Sequence, residues 1–298
     1  MKTDSASQQQ EALSFLRQAG EKTDEAIDLT EGAFALAVLD RPGVETKPYR
    51  AHLDVLIAQA RTEGDCTRLD DQLRLIRRIL VVQNKYHGDE DHFDDPRNAN
   101  LMQVIDRRRG SPITLGIIYM HIAKALGWSM TAVDFAGYFF LKLAASDGEV
   151  LLDPFRAGQT CSPEYLQELL AQDEGQDGLE AEEADDFDES DRDFTEIGFT
   201  VMPIDLGNRD ILLRLQNAIK RRHLSQEKVD AAISTLQRMI LLAPRQEDLW
   251  RELGYLQAER GSLRAAITAL EVVCDLSGEY AQARQTEDLL KQLRRQLN

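Results

Sequence analysis

Residues 111–127 constrain the fold of this 298-residue chain more than any other stretch. Ser111 and Pro112 lead a run that is apolar nearly all round (Ile113, Leu115, Ile117, Ile118, Tyr119, Met120, Ile122, Ala123, Ala125, Leu126), and Gly127 closes it. Serine caps a helix by accepting from a free backbone N–H, and proline at the first helical position loses little by lacking its own. A helix with no polar face is predicted to lie buried in the middle of a domain.

The residues after Gly127 supply the surface for that helix to pack on. Residues 130–136 alternate apolar and polar, residues 138–144 and 149–153 read as two further strands, and Asp147-Gly148 between them is a hairpin turn signal. A buried helix leading into an antiparallel sheet predicts the α+β class. Upstream, from about Gln9 to Leu80, the pattern is helical. Asp24 is expected to open a helix from Glu25 to Leu39, Asp40-Arg41-Pro42-Gly43 to stop it, and Pro48 to start another that runs to Gly64. Thr67 with Asp70 resembles a capping box for Leu69, Leu73, Ile76 and Leu80. Asn98 or Asn100 precedes a helix over Leu101–Arg109, whose last turn holds Arg107, Arg108 and Arg109. Cations there suit the helix dipole, and an anion or partner site is the competing reading.

The formal charge of −17 argues against sequence-independent binding to nucleic acid or an anionic membrane, which needs a basic surface. Residues 173–193 hold twelve carboxylates and one base, so this segment carries −11 and the remainder −6. It reads as a solvated linker, with a docking strip for a basic partner as the alternative. The first ten residues have no apolar core for a signal peptide and no run is long enough for a membrane helix, so a cytoplasmic location is expected. Cys66, Cys161 and Cys274 show no CxxC spacing and are expected to be ordinary reduced thiols. His87 and His92, among Asp89, Glu90, Asp91, Asp94 and Asp95, match no defensible metal spacing and read as a polar loop. His52, His121 and His223 each stand alone in helical contexts and outline no catalytic arrangement. No cofactor or metal is implied.

The tail carries a repeat. Ala231-Ala232-Ile233-Ser234-Thr235-Leu236 recurs as Ala265-Ala266-Ile267-Thr268-Ala269-Leu270, at the tetratricopeptide period of 34. Trp250, Leu253, Gly254, Ala266 and Leu270 fall at the repeat's characteristic places, Pro244 closes the previous unit, and residues 282–297 supply the capping helix such stacks need. Such a stack suits peptide or helix binding, or else braces the first domain.

The buried helix, Gly137-Tyr138-Phe139-Phe140 and Asp153-Pro154-Phe155 together resemble the transglutaminase-like (papain-like) superfamily. The resemblance implies a cysteine at the start of the helix, a histidine on the second strand after it and an aspartate on the next. A helix N-terminus lowers a thiol's pKa, histidine shuttles the proton and aspartate holds the imidazole. Counting back from Gly127 over the family's helix length reaches Pro112, and the family's Gly-His-Phe-Leu run places Tyr138 at the histidine. Only Asp153 keeps its type. The chain more closely resembles the bacterial SirB-type family, which shares an Arg-Arg-Gly-x-Pro-Ile-Ser/Thr-Leu helix start, the Asp-Pro-Phe and tetratricopeptide-like terminal helices. Asp95-Pro96-Arg97-Asn98 and the remaining motifs occur in the family's order from about Leu69 onward. That family is linked by name and gene neighbourhood to regulation and generally lacks the catalytic cysteine.

The expectation is therefore a non-catalytic adaptor or regulator. It divides into an N-terminal helical segment (1–66), a degenerate transglutaminase-like core (67–171), the acidic linker (172–195) and a tetratricopeptide-like domain (196–298). A protein partner is expected through the tail and the relic cleft, while the oligomeric state stays open. Pro112, Tyr138 and Asp153 are relic positions, and Ser111, Tyr138, Asp153, Arg107, Arg108 and Trp250 are binding candidates. The competing classes are a cryptic amidase or acyltransferase using Ser111, and a small-ligand site near Tyr138 and Asp153.

Overall fold

The computed structural model describes residues 2–64, 66–173, 202–276 and 281–297. In chain order it contains α1 (Lys2–Glu21), a 3-10 turn (Asp24–Ala26), α2 (Leu29–Asp40), α3 (Lys47–Arg61) and α4 (Leu69–Arg77), which runs into a π-helical segment (Arg78–Gln83). Next come β1 (His87–Gly88), a 3-10 turn (Pro96–Ala99), α5 (Leu101–Arg107), β2 (Arg109–Gly110), α6 (Pro112–Ala125), β3 (Ser129–Phe135), β4 (Tyr138–Ala145), β5 (Gly148–Asp153), β6 (Gln159–Thr160), α7 (Pro163–Asp173) and β7 (Ile204–Leu206). The chain ends in α8 (Asn208–Ser225), α9 (Val229–Leu242), α10 (Glu247–Glu259), α11 (Leu263–Leu276) and α12 (Ala281–Leu297). The acidic segment from Glu174 onward lies outside the described residues. The fold is α+β, with an antiparallel five-stranded sheet between helical regions at the two ends of the chain.

The chain forms two compact units, one of residues 47–93 and 104–207, the other of residues 1–46, 94–103 and 208–298. These bounds differ from the four consecutive segments read from the sequence: the first 46 residues group with the tail, and residues 47–66 group with the sheet. Contacts remote in sequence set this grouping, and a linear reading has no access to them.

In the first unit the strands run in the order β6-β5-β4-β3-β7, so β4 is central. Alternation sends its residues to two different layers. Phe139 and Leu141 face α6, where the helix presents Gly116. Tyr138 and Phe140 face the other way, with Val133, Phe135 and Leu151, toward Leu166 and Leu169 of α7. As expected, α6 is almost wholly interior, with Leu115, Ile117, Ile118, Tyr119, Ile122 and Ala123 buried. The Asp147-Gly148 turn forms as the sequence predicts, pairing Ala145 with Gly148. Its aspartate also replaces the expected capping box. Leu69 N donates to Asp147 Oδ1 at 2.8 Å, so the start of α4 is capped from 78 residues away, and Thr67 takes no part.

In the second unit the expected helix start at Asp24 is corrected. Asp28 caps α2 by accepting from Glu31 N at 3.0 Å. Asp24 instead accepts from Asn208 N (2.7 Å) and Arg209 N (2.8 Å), capping α8. Gly32 of α2 packs on Leu212 so closely that a Cβ would lie 2.5 Å from it. The α1–α2 hairpin thus covers the first helical pair of the tail as α12 covers the last, the closed ends a repeat stack requires. The 34-residue period is structural: α9 and α11 each have 14 residues and begin at Val229 and Leu263. Gly254 lets α10 approach α11, since a Cβ there would lie 2.6 Å from Leu270. Lys220 stands 34 residues before Gly254 and is nearly buried, its Nζ bound to Glu252 Oε2 at 2.5 Å.

Candidate functional site

Strand directions bring the start of β4 and the end of β5 to one end of the sheet, and β2 leads directly into α6 there. Phe155 comes just after β5 and lies against Gly88, whose partner in the short parallel ladder is Gly110. Pro112, Tyr138 and Asp153 therefore share an end of the fold, but their side chains do not form one site. Pro112 is the first residue of α6, and Ser111 is its cap: Thr114 N donates to Ser111 Oγ at 3.3 Å, and the two hydroxyls lie 3.1 Å apart. Tyr138 lies on the opposite face of the sheet, stacked at 6.5 Å on Phe140. The ring that meets α6 is Phe139.

Asp153 joins Tyr138 on the α7 side of the sheet. Its Oδ1 accepts from Phe155 N (2.8 Å) and Arg156 N (3.2 Å), and its Oδ2 accepts from the Tyr165 hydroxyl (3.2 Å). The side chain thus closes the turn after β5 beside a small cleft. That cleft, of about 160 Å³, is lined by Asp153, Arg156, Gln159, Thr160, Cys161, Ser162 and Tyr165. The Arg156 guanidinium lies 4.5 Å over the Tyr165 ring. Burial pushes the Asp153 carboxyl up, against the pull of these hydrogen bonds and of Arg156. Burial, and after it the Asp153 charge, also pushes the Cys161 thiol up to about 12 and the Tyr165 phenol to about 12. A thiol that holds its proton this firmly is a poor nucleophile. Sequence reasoning misses Cys161, Arg156 and Tyr165 as cleft residues. The available signal is Ser162-Pro163, a second serine-proline helix start shortly after Asp153-Pro154.

The arginines from the end of α5 to β2, Arg107, Arg108 and Arg109, are engaged within their own unit. Arg107 pairs with buried Asp89, and Arg109 lies 3.5 Å from Asp91, so the polar residues 89–91 are tied down by the run that precedes α6. Arg108, in the left-handed region at φ 59°, turns its guanidinium inward. Its Nη1 donates to Tyr86 Oη at 2.5 Å and to His52 Nε2 at 2.7 Å, and those two atoms lie 3.0 Å apart. A guanidinium only donates, so Nε2 is the bare nitrogen of His52. Burial, then the Arg108 charge, lower the His52 pKa to about 4, and burial raises Tyr86 to about 12. His52 is therefore not the isolated histidine its helical context indicates. It belongs to a cluster assembled from residues 34 and 56 positions away.

In the tail, Trp250 Nε1 donates to the Pro244 carbonyl at 2.8 Å and the indole packs beside the cluster of Leu236, Leu249 and Leu253. Trp250 thus closes the repeat. The exposed aromatic of α10 is Tyr255, 45% accessible. Exposed Arg221 on α8 stands 34 residues before it, at the same position of the preceding repeat. Among the described residues, no group of three or more His, Cys, Asp or Glu is placed to hold a metal ion, and no helix is long and apolar enough to cross a membrane.

Comparison with known proteins agrees with this architecture. A UPF0162 protein of Xylella fastidiosa is 27% identical over 249 residues, covering 83% of each chain. A UPF0162 protein of Pseudomonas aeruginosa is 26% identical over 248 residues, 80% of this chain and 83% of the relative. The mouse F-box only protein 21 is 30% identical over 83 residues, 28% of this chain and 13% of that protein. No solved structure matches the chain significantly. A tetratricopeptide-repeat profile matches residues 219–291, and the Transglutaminase-like superfamily profile matches residues 47–217. With that match spanning more than half of its length, and with the central helix and antiparallel sheet in place, the chain belongs to the transglutaminase-like superfamily.

Proposed function

We propose that this protein is a non-catalytic binding protein, an adaptor that engages a protein partner through its helical repeats and keeps the former catalytic end of its sheet as a binding cleft. The observation that carries the reading is the placement of Pro112 and Tyr138. The helix start where the family's chemistry needs a thiol holds an imino acid, and the strand position of its base points to the opposite face of the sheet. The remaining thiol near Asp153, Cys161, is held protonated by burial. Loss of a nucleophile in a triad enzyme removes about a millionfold in rate, and the Ser111 hydroxyl is engaged as the cap of α6, accepting from Thr114 N beside the Thr114 hydroxyl.

The repeats supply the alternative use. Tetratricopeptide repeats commonly form protein-binding surfaces, and residues 208–298 hold fifteen Lys and Arg against twelve Asp and Glu in a chain of net charge −17. Arg221 and Tyr255 repeat at 34 residues on exposed positions of α8 and α10, and they are our choice for contact residues.

The test is affinity capture with full-length protein and with Arg221→Glu/Tyr255→Ala, after thermal melts show that the two are equally folded. A stoichiometric partner held by the wild type and lost from the variant is expected. Equal capture by both removes this face from the account. Truncating at residue 225 is a poor substitute, because it strips α9 from the α1–α2 hairpin.

A further inference from the structure

The cleft beside Asp153 has a chemistry that the adaptor reading does not use. Asp153 is 7% exposed and lines the cleft, and its Oδ2 takes the Tyr165 hydroxyl at 3.2 Å. Arg156 is 54% exposed, its Nε 4.0 Å from that same oxygen, which is too long for a hydrogen bond. Among the described residues the guanidinium has the Tyr165 ring face and Asp153 as its side-chain partners. The guanidinium lies over the ring face and stays half exposed, and a guanidinium edge binds a carboxylate by two parallel hydrogen bonds. Gln159, Thr160 and Ser162 line the same space. A cation and an anion thus stand side by side, each with bonding capacity left, in a cleft of about 160 Å³.

The pair selects by charge. A phosphate dianion on Arg156 meets the Asp153 carboxylate, and a simple amine at Asp153 meets Arg156. A ligand that carries an ammonium next to a carboxylate satisfies both. We propose that this cleft binds a free α-amino acid, its carboxylate on the outer edge of Arg156 and its ammonium on Asp153 Oδ2, with side-chain polar groups contacting Thr160, Ser162 or Gln159. The proposal rests on the reading of the former catalytic end as a binding cleft, and it names the ligand class.

The test is isothermal titration of the full-length protein with each of the twenty free L-amino acids, with acetate and ammonium as single-charge controls, and with the N-acetyl and amide derivatives of any binder. At least one free amino acid is expected to bind. Its two blocked derivatives and Arg156→Gln should each weaken binding tenfold or more, while the melting temperature of unliganded Arg156→Gln stays within a degree or two of wild type. No binding by any amino acid at millimolar concentration overturns the proposal, as does equal binding of the blocked derivatives, of acetate alone, or by Arg156→Gln. Incubating the protein with the amides of all twenty amino acids and recovering them separates the two readings. Conversion of an amide to free acid contradicts the non-catalytic reading, whereas absent amino-acid binding with every amide intact overturns only the amino-acid site.

Discussion

Phe139 packs its ring on Gly116 so tightly that a Cβ at Gly116 would lie 2.5 Å from it, and this contact fixes which residues of β4 look at the central helix. Because Phe139 takes that side, Tyr138 and Phe140 take the other. The separation of Tyr138 from the start of α6 is thus built into the register of the sheet, and it does not depend on the side chain at position 138.

The contact itself is testable. Gly116→Ala forces the helix or the ring to move in a fully packed layer, and overpacking of this kind costs about 1–3 kcal/mol. Urea unfolding should show that loss, with part of it recovered in Gly116→Ala/Phe139→Leu, where the smaller side chain leaves room. An unchanged midpoint in the single variant contradicts the packing.

The same register bears on the two positions where the proposed reading places the lost thiol and base. Pro112→Cys places a thiol at a helix N-terminus, which by itself favours the thiolate. Adding Tyr138→His should do nothing more, because position 138 faces α7. Alkylation rate against pH should superimpose for the single and double variants. A downward shift of the profile on adding the histidine contradicts the assigned faces.

The His52–Tyr86–Arg108 cluster predicts a response to acid. The folded-state pKa of His52, about 4, lies below the ordinary histidine value of 6.5. The unfolded chain therefore takes up the proton first, so this contribution is complete above about pH 6.5 and declines as pH falls toward 4. Asp153, raised by burial, acts in the opposite direction. The stability difference between wild type and His52→Asn cancels that common term. It should shrink steadily from pH 7 to pH 4.5, as tracked by denaturant midpoints. A difference that is constant with pH contradicts the burial of a neutral imidazole against Arg108.

In the tail, Lys220 occupies the place that Gly254 holds one repeat later and is satisfied by Glu252. Glu252→Gln leaves a nearly buried ammonium with a neutral partner and is expected to cost about 1–3 kcal/mol. Lys220→Met/Glu252→Leu should recover most of it, since an apolar pair of similar volume avoids the desolvation of both charges. Thermal melts in which Glu252→Gln is neutral contradict the pairing.

The central helix is legible in the sequence because its signals are local: a serine cap, a first-turn proline, an apolar run and a closing glycine. The hairpin at Asp147-Gly148 and the 34-residue repeat are legible for the same reason. The face of Tyr138 is not, because Tyr138, Phe139, Phe140 and Leu141 are all aromatic or aliphatic and a strand covered on both sides shows no alternation to read. The cap that Asp24 gives to α8 spans 184 residues, and the cap that Asp147 gives to α4 spans 78. Such partners emerge only once the chain is folded. The spacing of Cys161 marks it as an ordinary thiol, and the fold places it in the cleft beside Asp153.

The central claim, that the transglutaminase-like fold here binds without catalysing, is tested most directly by intact-mass spectrometry during incubation with a peptidyl-glutamine substrate and an amine acceptor, with released ammonia measured in parallel. The wild type is predicted to form no acyl adduct and to release no more ammonia than Ser111→Ala or Cys161→Ala. An adduct mapped to Ser111 or Cys161, with ammonia release abolished by substituting that residue, contradicts the claim.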